Sequence, residues 1–242
     1  LEIFEDLEEK KNIAGILHQL GMIHYAQGRY EDAVKMYHES LKIDEELGNK
    51  RGFASTLHEL GNVHYLQGRY EEAENMYHES LKIKEELGNK SGIAYTLGQL
   101  GTMHRVQGKY EEAIELYQQV KHLSEELGDK SSIAIALHNL GLIHQDQGRY
   151  EEAEKMYQDS LKIEEELGNK RGIASTLGQM GRIFHAQENY KEALRCYLHA
   201  FVLFNELNSP YEDLAKRDIS KLKEEIGNSL FDRYYKEITA NE

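Results

Sequence analysis

The stretch from Asn12 to Lys50 returns almost letter for letter from Gly52, Gly92, Ser132 and Gly172. A fixed period of 40 residues constrains the fold more than length or composition does. Repeats of this size cannot bury an apolar face alone and do so by stacking on their neighbours. The blocks are 11–50, 51–90, 91–130, 131–170 and 171–210. Each carries two runs of apolar residues at helical spacing, at about 50–66 and 70–87 in the second block.

Turn chemistry bounds these runs. Gly28, Gly68, Gly108 and Gly148 follow the first run, and Gly48, Gly88, Gly128 and Gly168 the second. All suit the left-handed position just past a helix end. Asn49, Asn89, Asp129 and Asn169 stand where an N-cap is wanted. In the fifth block Glu188 replaces the turn glycine, and Ser209-Pro210-Tyr211-Glu212 reads as a capping box with the chain's one proline at the first helical position. Inside every first helix lies a glycine: Gly21, Gly61, Gly101, Gly141 and Gly181. Each costs roughly 1 kcal/mol relative to alanine, which makes sense if a second helix packs too close for a side chain. The expected small partners are Ala33, Ala73, Ala113, Ala153 and Ala193, surrounded by Leu17, Leu20, Tyr30, Tyr37, Ile43 and their equivalents.

Leu17-x-x-Leu20-Gly21-x-x-His24, followed by Gly28-x-Tyr30, Ala33 and Tyr37, resembles the tetratricopeptide repeat, five times over and across at least 200 residues. The chain departs from that family in having leucine for tryptophan at Leu17, Leu57, Leu97, Leu137 and Leu177, no proline after the second helix, and six extra residues per repeat. This long form is similar to the repeats of kinesin light chains, Pins-type adaptors and prokaryotic regulators. The resemblance implies an all-α fold, a right-handed superhelical solenoid of antiparallel helix pairs with a concave binding groove.

The ends read differently from the middle. LEIFEDLEEK aligns with LKIDEELGNK at 41–50, so residues 1–10 are expected to be the remnant of a preceding repeat's second helix in a longer array. Residues 211–242 are expected to be C-terminal capping helices, at 211–226 and about 229–239, covering the last repeat. Phe231, Tyr234 and Tyr235 would either serve that cover or form a docking face.

Comparing the copies separates two faces of the first helix. Slots 13, 14, 17, 20, 21 and 24 hardly vary, while slots 15, 18, 19, 22, 25 and 26 vary most. At about 100° per residue the constant set clusters opposite the variable set. Packing must repeat for repeats to stack, whereas a surface that reads a non-repeating partner must not. The resemblance places the same variable slots along the groove. The first block then offers Gly15, His18, Gln19, Met22, Tyr25 and Ala26, and the second Ser55, His58, Glu59, Asn62, Tyr65 and Leu66. The third adds Tyr95, Gly98, Gln99, Thr102, Arg105 and Val106, and the fourth Ile135, His138, Asn139, Leu142, Gln145 and Asp146. The fifth has Ser175, Gly178, Gln179, Arg182, His185 and Ala186. Tyr25, Tyr65 and Tyr95 are the expected aromatic anchors, because tyrosine and arginine are over-represented among binding hot spots.

The expected function is a protein–protein interaction scaffold that binds a peptide or helical segment of another protein. One alternative is the sensor domain of a larger signalling protein, linked to a STAND-type ATPase or a protease; another is end-to-end self-association. The family also includes chaperone adaptors that clamp a terminal carboxylate with lysines. His18, His58, Gly98, His138 and Gly178 stand where the first clamp lysine would be, so that ligand is not expected. The formal charge of −14 argues against nucleic acid or an anionic membrane as partner. One cysteine, Cys196, excludes an intramolecular disulfide and fits a reducing, cytoplasmic setting. His24, His64, His104 and His144 fall on the constant stripe and are expected to be half-buried and hydrogen-bonded. Paired glutamates such as Glu45-Glu46 recur in four blocks, as a solvated helix end would. No HExxH, zinc-type cysteine–histidine spacing, phosphate loop or nucleophile elbow occurs, so no enzyme activity, metal or cofactor is expected.

Overall fold

A computed structural model describes residues 2–240, with side chains from residue 7 onward. Among the described residues all regular structure is helical and falls into two units, 1–127 and 128–242. The first unit holds α1 (Glu2–Ala26), α2 (Tyr30–Glu46), α3 (Lys50–Leu66), α4 (Tyr70–Glu86), α5 (Lys90–Val106) and α6 (Tyr110–Leu127). Here α1 pairs with α2, α3 with α4 and α5 with α6, while α2 also packs on α3 and α4 on α5. The second unit holds α7 (Lys130–Asp146), α8 (Tyr150–Leu167), α9 (Lys170–Ala186), α10 (Tyr190–Glu206) and α11 (Glu212–Thr239). Here α7 pairs with α8 and α9 with α10, while α8 packs on α9 and α10 on α11.

The turns follow from their letters. Gly28 and Gly48 adopt φ of 73° and 62°, as do their equivalents within a few degrees, and Arg29 N–H closes the end of α1 on the His24 carbonyl at 2.9 Å. Asn49 caps α3 by accepting from Gly52 N–H at 3.3 Å, and Asp129 caps α7 by accepting from Ser132 N–H at 3.1 Å. Glu188 and Asn208 hold the left-handed conformation without glycine, at φ of 60° and 48°.

Two local expectations change. The capping box at Ser209 does not close: its hydroxyl accepts from Tyr211 N–H at 3.3 Å, while Glu212 turns to Lys216 at 2.7 Å. Pro210 and Tyr211 form a turn, so α11 starts two residues later than a box requires. At the other end no turn separates residues 1–10 from the first repeat, since α1 runs unbroken from Glu2 to Ala26. Glu8 and Glu9 occupy the places of Gly48 and Asn49, so neither the left-handed residue nor the cap that would end a helix is present. Leu1, and the side chain of Ile3 with which it was aligned to block one, lie outside the described residues.

The interior glycines have a different partner from the alanines expected. A Cβ on Gly61 would lie 2.6 Å from Cε1 of Tyr77. Gly21, Gly101, Gly141 and Gly181 meet Tyr37, Tyr117, Tyr157 and Tyr197 in the same way. Each tyrosine sets ring carbons in the space over its glycine and is buried. The alanines are buried too, but they are not what occupies the missing side chain's space. A second tie joins the pair where serine is available: Ser40, Ser80 and Ser160 donate to the carbonyls of Ala14, Ala54 and Ala134 at 2.7–2.9 Å.

The last pair is covered by α11, which breaks at Gly227 (φ 77°, ψ 159°) into two helical pieces. Leu222, Phe231 and Ile238 pack with Ala193, Leu194 and Tyr197, and Ala215 with Ala200 and Phe204. Phe231 is buried and Tyr234 half-buried in that cluster. Of the aromatic trio, Tyr235 alone is exposed, stacked on Phe231 at 6.3 Å between centroids.

The glycines predict opposite signs for one substitution. Gly61→Ala drives a methyl group into Tyr77 and lowers stability by about 1–3 kcal/mol. Gly98→Ala, where a Cβ would meet nothing within 4 Å, raises it by about 0.5–1 kcal/mol through helix propensity alone. Urea unfolding of the two variants measures both.

Candidate partner-binding face

Each second-helix tyrosine points its hydroxyl toward the variable face of the first helix, and every repeat meets it differently. The Tyr77 hydroxyl donates to Asn62 Oδ1 at 2.7 Å, and Asn62 Nδ2 donates to Glu59 at 3.0 Å. Tyr117 donates to the Gly98 carbonyl at 3.0 Å and shares a 2.6 Å bond with the Thr102 hydroxyl. Tyr157 donates to Gln145 Oε1 at 2.8 Å, and Tyr197 lies 3.5 Å from His185 Nδ1. In the first repeat Met22 stands at the slot of Asn62, and the buried Tyr37 hydroxyl finds no protein partner. Part of the letter variation on this face therefore satisfies internal hydroxyls, a role that comparing copies does not reveal.

The face histidines are joints between repeats. Nδ1 of His18, His58 and His138 lies 2.9–3.0 Å from the hydroxyls of Thr56, Thr96 and Thr176 in the following first helix. Their rings pack on Tyr37, Tyr77 and Tyr157 with centroids 5.4–5.7 Å apart. Thr96 also accepts from Lys84 Nζ at 2.7 Å and donates to the Gly92 carbonyl at 3.0 Å. A hydroxyl has one proton to give, so Thr96 must accept from His58 as well, which assigns the neutral Nδ1–H tautomer. Burial, and then the charge of Lys84, push the His58 pKa down to about 3. Burial, partly offset by Glu59, brings Lys84 down to about 8. In the sequence Gly98 and Ala136 replace histidine and threonine together.

In the first unit, Tyr95 (58% exposed) and Met22 (46%) are open to solvent. His18, Tyr25, Glu59, Tyr65, Thr102 and Arg105 are half-buried. Tyr95 rests on the His58 ring at 4.7 Å. Burial and then the charge of Glu59 raise the pKa of Tyr25 and of Tyr95; burial raises that of Tyr65, which Arg105 opposes. These tyrosines thus form one patch around Glu59 and Arg105. Two residues expected on the face are lost to it: His58 (2% exposed) and Asn62 (8%) are buried by their internal bonds.

In the second unit Asp146 is exposed, and His138, Asn139, Leu142 and Gln145 are half-buried. Arg182 and His185 are engaged by α11 instead of facing a partner. Arg182 Nη2 meets Asp218 at 3.0 Å and His185 Nε2 meets Glu225 at 2.8 Å.

Sequence reading missed slot 44, where Asp44, Lys84, Ser124 and Glu164 are all buried. The signal was present, since this slot lies three residues beyond Leu41 on the packed stripe yet holds acid, base, hydroxyl, acid and aromatic in turn. The stripe histidines are half-buried to buried as expected; Gln147 hydrogen-bonds His144, while Nδ1 of His24, His64, His104 and His144 meets no hydrogen-bond partner among the described residues. On α1, Ile13, Ile16, Leu20 and Ile23 are exposed, Ile16 by 57%, whereas in α3 the counterparts Leu60 and Val63 are buried at 0% under α2. Among the described residues no group of three or more histidine, cysteine, aspartate or glutamate side chains could hold a metal ion, and no helix is long and apolar enough to cross a membrane.

Consecutive helix pairs locked by a glycine–aromatic contact define a helical-repeat protein. The chain belongs to the tetratricopeptide repeat family, whose sequence profile matches residues 12–86, 52–126, 92–166 and 132–206. No curated protein sequence matches it. Among solved structures it is similar to a Signal Transduction ATPase with Numerous Domains (STAND) from Pyrococcus horikoshii that carries a tetratricopeptide repeat sensor. That match has 16% identity and a TM-score of 0.79, and covers 98% of this chain but 38% of the ATPase. A putative kinesin light chain of Podosopora anserina shares 16% identity at a TM-score of 0.66, covering 82% of this chain and 97% of that one. A Rap protein in complex with competence and sporulation factor shares 18% identity at 0.71, covering 92% and 63%.

The buried His58–Thr96–Lys84 joint predicts a signed pH dependence. Folded His58 stays neutral down to about 3, whereas unfolded it takes up a proton near 6.5. Stability present above 6.5 is therefore lost as pH falls toward about 3, by an amount on the order of a few kcal/mol. Chemical unfolding at a series of pH values should show this loss flattened in His58→Gln. Lys84→Met, which removes the buried ammonium, should raise stability at pH 7.

Proposed function

We propose that the chain is a non-catalytic, cytoplasmic scaffold that binds a peptide or helical segment of another protein on the variable face of its first helices. The patch of the first unit carries this reading: exposed Tyr95 and Met22 and half-buried Tyr25 and Tyr65, with the charge of Glu59 acting on Tyr25 and Tyr95 and that of Arg105 on Tyr65. Large aromatic surface beside one charge of each sign suits an anchor residue flanked by a polar contact. His18 and Thr102 extend the patch in the first unit, and in the second unit His138, Asn139, Leu142, Gln145 and Asp146 occupy the corresponding variable slots. The Rap protein solved with its factor supports a protein or peptide ligand. Peptides selected from a displayed library against the full chain test it: Tyr65→Ala with Arg105→Ala should weaken the selected peptides by about tenfold or more. Unchanged affinity would overturn the reading.

The STAND protein's sensor favours a second setting for the same surface, as the ligand-sensing part of a larger signalling protein. A nucleotide-binding fingerprint in the same open reading frame would support that setting, and further repeats alone would count against it. The exposed Ile13, Ile16, Leu20 and Ile23 of α1 favour self-association through that face. Sedimentation velocity should then show concentration-dependent association that Ile16→Glu abolishes.

A further inference from the structure

Block five departs from the other four at three slots that meet in space. Cys196 stands in the place of Met36, Met76, Leu116 and Met156, and Phe184 in that of His24, His64, His104 and His144. Val202 replaces Lys42, Lys82, His122 and Lys162. All three line one open groove of about 800 Å³, walled by α8 and α10 and floored by α9. The floor is the constant stripe of α9, made of Ile173, Leu177, Met180 and Phe184. It therefore lies on the side of that helix away from the variable slots.

The three exchanges act in one direction. In block two Met76 packs against the cluster that holds Leu57; a cysteine is two heavy atoms shorter and covers less. Leu57, Leu97 and Leu137 are 3–7% exposed, whereas their counterpart Leu177 is half-buried. Val202 is 50% exposed, with apolar surface where a lysine would carry its charge into water. Leu161, Ile173, Phe184 and Leu203 are half-buried as well, so the groove presents accessible apolar surface along its length. In the first unit the groove between α2 and α4 is lined instead by Glu45, Lys50, Glu79, Lys82 and Glu86 around Phe53 and Ile83.

We propose that the groove of block five docks an amphipathic helix of a partner protein, with apolar side chains on one face and lysine or arginine flanking them. Length sets the form. Glu154 and Glu165 are the outermost α8 residues lining it, and their separation corresponds to about 16 Å of helix. About three turns of a docked helix span that distance, with anchors at every third or fourth residue. Charge sets the flanks. Besides His199, the ionisable groups lining the groove are Glu154, Glu165, Glu192 and Arg195, and Glu192 already engages Arg195. Carboxylates thus outnumber the one guanidinium, on a chain whose formal charge is −14. That field favours a basic partner and disfavours a second copy of this chain.

The probe is a model peptide of leucine and lysine, about four turns long, with all leucines on one helical face. One control has the same composition with the leucines spread around the helix; the other carries glutamate in place of lysine. Titrated into the isotope-labelled full chain, the amphipathic lysine peptide is expected to give saturable amide shifts at Leu177, Phe184 and Val202, and the controls none. Cys196→Met with Val202→Lys restores the residues of blocks one, two and four, so helical circular dichroism stays unchanged while binding weakens by about tenfold or more. Tyr65→Ala with Arg105→Ala, on the variable face of the first unit, leaves this binding intact, and its loss there would overturn the proposal. Absence of saturable shifts overturns it too, as do equal shifts from either control or shifts that survive the double substitution in block five. Self-association in sedimentation velocity that Val202→Lys abolishes would make a second copy the occupant and overturn it likewise.

Discussion

Everything in this protein is arranged around a tyrosine lying across a glycine. A fully buried tyrosine removes about 150–250 Å² from water, a gross transfer on the order of 4–6 kcal/mol as an upper estimate. The glycine beneath it costs about 1 kcal/mol of helix propensity. The exchange favours the contact in each of the five repeats, and the glycine persists for that reason. It also fixes geometry, since the ring held against the first helix carries its hydroxyl to residues at that helix's variable slots in four repeats. The variable face is thus built outward from the core, over a hydroxyl that needs a partner.

The joints between repeats obey a different logic. Shape is the same at each histidine–threonine contact, but the polar side chain beside it is not: Asp44 bonds Asn49 at 2.7 Å, Lys84 bonds Thr96, and Glu164 keeps one oxygen unpaired. Burial raises the two carboxyl pKa values and lowers the lysine, so at each joint burial pushes the group toward its neutral form. By contrast the periodic pairs Lys50–Glu86, Lys90–Glu126, Lys130–Glu166 and Lys170–Glu206 are about half exposed, where solvent screens the attraction, and contribute little. Repetition of a bond is not a measure of its weight.

The proposed binding face was only partly legible for the same reason. Constant and variable slots were separable by eye, and Met22, Tyr95 and the half-buried tyrosines lie where the variation pointed. Variation, however, has two causes that look alike in a list of letters. Asn62, Thr102 and Gln145 differ because each completes a different internal bond, and Arg182 and His185 differ because α11 takes them up. A buried hydrogen bond and an exposed recognition contact draw on the same polar residue types.

By itself the sequence determined the period, the two helices of each repeat, the left-handed glycines, the asparagine caps and the break near Gly227. All of these are local: they depend on backbone conformation and on side chains a few residues apart. The three-dimensional structure alone decided that tyrosine is what excludes a side chain from the interior glycines, that three histidines join repeats, and that α11 occupies the last stretch of the face. Those outcomes depend on residues 12 to 40 positions apart meeting in space, and no local pattern records which of two compatible side chains arrives first.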